Sequence, residues 1–180
     1  MAKISLITGG AATGKSRWAV SYFSACDNVL YICTSKKLDK DIVQRIKYSN
    51  EHNFVEWIIA EDVKNPIEMV KEHKFYIFDS LASYTSNVIK EMCPSSDMMT
   101  DEIKKSIEKR VVDSVMEIMN KINELDANLI IITIEAGFSV CPLDEEQMFF
   151  REIMGIVNQR IANQASEVYL SASGIQFKIK

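Results

Sequence analysis

Histidine is scarce in this chain: His52 and His73 are the only two in 180 residues. Ser80, beside an acid considered below, has no histidine near it in sequence, so no hydrolase nucleophile is expected. The four cysteines, Cys26, Cys33, Cys93 and Cys141, lie far apart and form no C-x-x-C pair. That excludes the usual zinc spacing, makes a poor disulfide framework and suits a reducing cytosol. Basic residues are not in excess: 21 Lys and Arg against 25 Asp and Glu leave a net charge of -4. Broad nucleic-acid binding, which needs a basic footprint, is therefore not expected. No apolar run approaches the roughly 20 residues that cross a bilayer. The opening "KISLITGG" is too short for the apolar stretch and cleavage site of a signal peptide. These absences describe a cytoplasmic protein without a membrane span. No repeat or low-complexity tract divides the chain, and residues 1–180 suit one domain, because ~150 residues already bury roughly 70% of their unfolded surface.

What is present is an alternation of short apolar runs and longer helix-period segments. Residues 3–9, 28–35, 75–80 and 129–135 are rich in β-branched and aromatic residues. They read as strands buried on both faces, as a parallel sheet requires. Helices are expected over 15–25, 39–52, 66–73, 101–125 and about 144–164. In the fourth of these, Ile103, Ile107, Val111, Val115, Ile118, Ile122 and Leu125 recur at steps of three or four. That stripe reads as core packing or as a subunit interface. Trp18 and Trp57 read as packing anchors. "CPSSDMMTD" (93–101) is the expected mobile connection, and the tail alternates by twos around Gly174, as a terminal hairpin does. The sum is an α/β fold with a mostly parallel sheet flanked by helices.

"GGAATGKS" fits the pattern G-x-x-x-x-G-K-S/T, running through Gly9, Gly10, Ala11, Ala12, Thr13, Gly14, Lys15 and Ser16. Its glycines allow positive φ and close backbone approach, so successive N–H groups can surround phosphate oxygens. Lys15 would neutralise β- and γ-phosphates, and Ser16 would ligate Mg²⁺. The loop follows a strand and opens a helix, as the mechanism demands. Asp79 ends an apolar strand at the edge where open α/β sheets bind ligands. It reads as a Mg²⁺ partner, or as a cap for the helix starting near Leu81. Glu135 ends another apolar run and could orient a nucleophile or a metal-bound water, or simply cap a strand. The charge cluster "KKLDKD" (36–41) reads as a solvated helix start, and His73 as a surface residue.

The order of these motifs resembles the adenosylcobinamide kinase / adenosylcobinamide-phosphate guanylyltransferase family of cobalamin biosynthesis. The resemblance runs nearly end to end, through "ISLITGGAATGKSRWA", "VLYICTS", "FDSLASYTSNVI", "EAGFSVCP" and "FREIMGIVNQRIANQASEVYLSASGIQFKIK". It implies a RecA-like P-loop fold and a cytoplasmic enzyme assembled as a homotrimer. It implies phosphorylation of the aminopropanol hydroxyl of adenosylcobinamide with ATP or GTP, followed by GMP transfer through a GMP–histidine intermediate. It also places Thr34, Ser35 and Glu61 near the nucleotide.

The guanylylated histidine of the family falls four residues after a helix arginine. With Arg45, Ile46 and Trp57 holding the register, that position is Ser49. A serine phosphodiester is a far poorer leaving group than a phosphoramidate, so Ser49 cannot inherit the role. His52 lies one helical turn further, a displacement of about 5 Å. Asn53 and Phe54 replace the family's Arg-Pro pair, Ile134 an asparagine and Met148 an arginine. The expected outcome is a kinase with guanylyl transfer weakened or lost. The alternatives are a bifunctional enzyme using His52, a non-catalytic nucleotide-binding protein, or a kinase for another small alcohol.

Overall fold

The computed structural model describes residues 2–180. Its strands are β1 (Lys3–Gly9), β2 (Val29–Cys33), β3 (Trp57–Ala60), β4 (Phe75–Asp79), β5 (Asn128–Ile132), β6 (Glu167–Ala172) and β7 (Ile175–Lys178). They form one sheet in the order β3-β2-β4-β5-β1-β6-β7, parallel except for the closing β6–β7 hairpin. The helices are α1 (Lys15–Tyr22), α2 (Lys40–Asn53), α3 (Leu81–Met92), α4 (Asp101–Glu124) and α5 (Glu145–Gln164).

Alternate residues of each inner strand face opposite cores. Leu6, Leu30, Phe78 and Ile131 pack with α3, α4 and α5. Ile7, Tyr31, Ile77 and Ile130 pack with α1 and α2. Both faces are covered, which is why these strands read as unbroken apolar runs. The stripe of α4 from Ile107 to Ile122 is buried in the first core, in keeping with core packing. Side chains of Asp39, Ser80, Thr100 and Asp144 cap α2, α3, α4 and α5. Ser173 and Gly174 turn the hairpin, both at positive φ, as a tight two-residue turn needs. No helix among the described residues is long and apolar enough to cross a membrane.

Several elements differ from expectation. The helix expected over 66–73 is a single 3-10 turn, Pro66–Met69. Val70 is extended and buried, and the Tyr76 hydroxyl accepts the N–H groups of Lys71 (3.2 Å) and His73 (3.1 Å). Those bonds fix a turn in place of a second helical turn. α1 ends at Tyr22, short of 25, because the residues after Phe23 close in tight turns such as Cys26 N–H to Phe23 O at 2.7 Å. β5 ends at Ile132, so Glu135 stands beyond the strand. The connection expected over 93–101 holds a 3-10 turn, Ser96–Met98, and ends before Asp101, which opens α4. β3 is a four-residue edge strand for which no expectation was formed.

Candidate active site

The glycine-rich loop joins β1 to α1. Gly9 has φ +142°, and a Cβ there would stand 2.2 Å from the carbonyl oxygen of Ser171 on β6. Gly14, at φ +91°, starts α1, whose first N–H groups have no side-chain cap. They are left facing the loop, where an anion can accept from them. Ser171 Oγ donates to Thr13 O at 2.7 Å, so β6 both crowds and braces the loop.

The Lys15 ammonium is buried and folded onto the loop, donating to Gly9 O (3.0 Å), Gly10 O (2.5 Å) and Thr13 Oγ1 (3.4 Å). Burial pushes its pKa down, and the charge of Asp79 opposes that shift. Asp79 Oδ2 accepts from Ser16 Oγ at 2.8 Å and from the Tyr31 hydroxyl. Burial raises the Asp79 pKa against the pull of Tyr31, Ser16 and Lys15. Burial and Asp79 together hold the Tyr31 phenol well above its ordinary value. A buried carboxylate held by hydroxyls gains from a cation. Ser16 and Asp79 present hard oxygen donors of the kind Mg²⁺ takes.

A cavity of about 330 Å³ lies against the loop, lined by Thr13, Gly14, Ser16 and Arg17 and, from the start of α2, Asp39 and Asp41. The charge cluster read as a solvated helix start thus borders the phosphate loop. Arg17 and Arg45 both donate to Asp41 Oδ2, at 2.9 and 2.8 Å, and hold its carboxyl below the usual range.

Thr34 is buried beside Asp79. Its N–H donates to Asp79 O (2.9 Å) and its hydroxyl to Ser80 O (2.8 Å). Ser35 Oγ donates to Lys37 O at 3.1 Å, and Glu61 accepts the Leu38 N–H at 2.7 Å. These two therefore order the segment leading into α2. Glu135 reaches the loop from another side: its N–H donates to Gly9 O at 3.1 Å, and its carboxylate accepts from the Thr8 hydroxyl at 3.5 Å.

Further along α2 the picture changes. Ser49 is buried, and its hydroxyl donates to Ser24 O at 2.8 Å. Asn53 Nδ2 donates to the same carbonyl (2.9 Å) and to Ser49 Oγ (3.2 Å). His52 is exposed, with its ring stacked on Tyr48 at 3.8 Å and Nδ1 3.0 Å from Tyr48 O. His73 lies at the surface, against Asn28 Oδ1. Sequence reasoning missed Tyr31 as a partner of Asp79. The signal is the β2–β4 register, in which Cys33 faces Asp79 and Tyr31 lies two residues back.

Residues 5–179 match the family described as cobinamide kinase / cobinamide phosphate guanyltransferase. The bifunctional adenosylcobalamin biosynthesis protein CobU of Salmonella typhimurium is 29% identical over 180 residues, covering 97% of this chain and 98% of its own. Its Escherichia coli counterpart is 28% identical with the same coverage. Among solved structures, a KaiC-like protein from the archaeon Pyrococcus horikoshii superposes with a TM-score of 0.51 at 15% identity, covering 93% of this chain and 70% of that one. That likeness concerns the fold alone, a RecA-like P-loop architecture. With nearly its whole length matched, the chain belongs to the cobinamide kinase / cobinamide phosphate guanyltransferase family.

Proposed function

We propose that this chain uses ATP or GTP to phosphorylate the aminopropanol hydroxyl of adenosylcobinamide, and that GMP transfer onto the resulting phosphate is weakened or lost. The observation that carries the reading is the contrast between the phosphate loop and the far turn of α2. Lys15 bonds to the loop carbonyl of Gly9 and Ser16 to Asp79, so the groups a bound triphosphate would need lie together, whereas the Ser49 hydroxyl is bonded into the fold.

The N–H groups from Gly9 to Ser16 would wrap the β-phosphate. Lys15 would exchange the carbonyls of Gly9 and Gly10 for phosphate oxygens, a stronger charge-assisted contact. Ser16 and Asp79 would hold Mg²⁺, which when bound neutralises charge on the β- and γ-phosphates. Thr34, Ser35 and Glu61 would shape the nucleotide side. Glu135 would accept the proton as the substrate oxygen bonds to the γ-phosphorus and the bond to the β-bridging oxygen breaks, releasing the nucleoside diphosphate.

For guanylyl transfer, a free imidazole nitrogen must attack the α-phosphorus of GTP and later leave. Ser49 offers no such nitrogen, and the exposed His52 ring is stacked on Tyr48. Mass spectrometry after mixing with adenosylcobinamide, nucleotide and Mg²⁺ should show a product heavier by one phosphate. No transfer despite tight nucleotide binding would sink the kinase reading and leave a non-catalytic nucleotide-binding protein. Incubation with α-labelled GTP should leave no acid-labile GMP on the protein. Label that forms on the wild type and vanishes in His52→Ala would restore the bifunctional reading. Assembly as a homotrimer belongs to the same proposal, and light scattering tests it.

A further inference from the structure

Gly155 lies within the 20-residue helix α5, and nothing in the packing accounts for it. A glycine in a helix interior costs about 1 kcal/mol relative to alanine. Gly9 has a reason to be glycine, because β6 crowds it. A Cβ added at Gly155 meets no atom within 4 Å. Its neighbours Ile153 and Met154 are fully buried, while Gly155 lines an open groove of about 500 Å³ between α4 and α5.

The groove is joined to the phosphate loop through Glu135. One end holds Glu135 and Gly137, and the Glu135 N–H is bonded to Gly9 O. Arg151 ties that end to α5 through Nη2 to Gly137 O at 3.1 Å, leaving its buried Nη1 without a hydrogen-bond partner. Apolar surface comes from Met148, Gly155 and Ile156, and polar groups of both kinds from Lys105, Glu108 and Gln159. Lys104 is paired with Glu152 (2.7 Å) and Asp101 (3.1 Å), and the lining sets Lys104, Lys105 and Arg151 against Glu108, Glu135 and Glu152, so the groove carries no excess of positive charge for a free anion. The loop joining Gly137 to Met148 carries Phe138, Val140 and Leu143 at 68%, 92% and 103% exposure, a concentration of apolar surface beside the groove.

We infer that this groove seats the acceptor of the phosphoryl transfer, a corrinoid. The bare helix backbone at Gly155 admits the edge of a broad, flat ring. The mixed donors and acceptors suit its amide arms, and the hydroxyl-bearing arm extends to Glu135. The inference rests on the kinase reading above.

The test compares Gly155→Phe, Gly155→Ala and Gln159→Trp, the last substitution one turn along the same face. Adenosylcobinamide binding is titrated in the presence of a non-hydrolysable ATP analogue, beside analogue affinity and melting temperature. Both bulky variants should weaken corrinoid binding by about tenfold or more, because the added ring occupies the ligand's space. Affinity for the analogue should be unchanged, and Gly155→Ala should melt no lower than wild type. Wild-type corrinoid affinity in both bulky variants overturns the groove assignment alone, provided the parent protein binds and phosphorylates the corrinoid. A parent protein that binds nucleotide but no corrinoid overturns the assignment together with the kinase reading. Joint loss of corrinoid and analogue affinity in both bulky variants also overturns it.

Discussion

Two adjacent glycines of the phosphate loop should respond very differently to the same added methyl group. At Gly9 the new Cβ would stand 2.2 Å from Ser171 O, and φ is +142°, where side chains are strained. Gly9 and Ser171 are paired across β1 and β6, so the contact is backbone against backbone and no flexible side chain can yield. The strands must separate by roughly 1 Å, beside the bond from Ser171 Oγ to Thr13 O. Overpacking costs about 1–3 kcal/mol and a strained backbone about 1–3 kcal/mol more, so Gly9→Ala should lose about 2–6 kcal/mol. At about 2–4 °C per kcal/mol for a domain of this size, melting should fall by roughly 10 °C. At Gly10 the nearest atom to an added Cβ is Thr13 Cγ2 at 3.6 Å, an ordinary contact. Gly10→Ala should stay within about 0.5 kcal/mol of wild type. Urea unfolding of the three proteins, with nucleotide binding measured alongside, decides the matter. A Gly9→Ala protein within about 1 kcal/mol of wild type, or equal losses in the two variants, would refute the crowding of Gly9 by Ser171.

Lys15→Ala should reduce phosphoryl transfer by about 100-fold or more, and unchanged turnover would break the loop assignment. Glu167 joins β1, β6 and β7 through Lys3 (2.8 Å) and Lys178 (2.6 Å). Burial pushes its pKa up, but hydrogen bonds from Lys178, Lys3 and Tyr169 outweigh that and bring it to about 2 from 4.5. A lowered carboxylate pKa stabilises above the unfolded value and loses its contribution as pH falls through the folded one. Glu167→Gln should therefore be destabilised by about 1–2 kcal/mol at neutral pH, with the gap to wild type closing between about pH 4.5 and 2; a pH-independent gap in urea titrations would contradict this. Ser49→Ala should lose about 1 kcal/mol with phosphoryl transfer intact, and a large fall in transfer would mean that the hydroxyl has a chemical role.

The readable parts of the fold are those whose environment is uniform along the chain. β1, β2, β4 and β5 are covered on both faces, so their apolar runs show them directly. β3 has one exposed face and only four residues, and it exists because the edge of β2 offers it a partner. The segment after Pro66 has helix-like composition, yet Val70 is drawn into the core and the Tyr76 hydroxyl holds the following N–H groups. The same division runs through the site. The loop from Gly9 to Ser16 is local, and its spacing is its geometry. Tyr31 meets Asp79 only through strand register, and the charges of Asp39 and Asp41 come to the loop only through the placement of α2. No local pattern carries either contact.

In helix α2 the packing frame and the chemistry proposed for it can be separated. Ile46 and Trp57, which anchor its register, are both buried, and the Trp57 indole donates to Cys26 O at 3.0 Å. Their presence follows from packing, whatever the helix does for a nucleotide. Between them, Ser49 and Asn53 close a hydrogen-bonded cluster on Ser24 O. A nucleophile must aim a lone pair at its target, whereas the Ser49 hydroxyl is buried, with its donor and one of its two acceptor positions already used inside the fold. Asn53 stands where the family resemblance places an arginine, and it completes the same cluster. Ser49 and Asn53 support each other structurally and form a joint between α2 and the turn after α1. Register along α2 therefore argues for family membership, and the hydrogen bonds of Ser49 argue against guanylyl transfer.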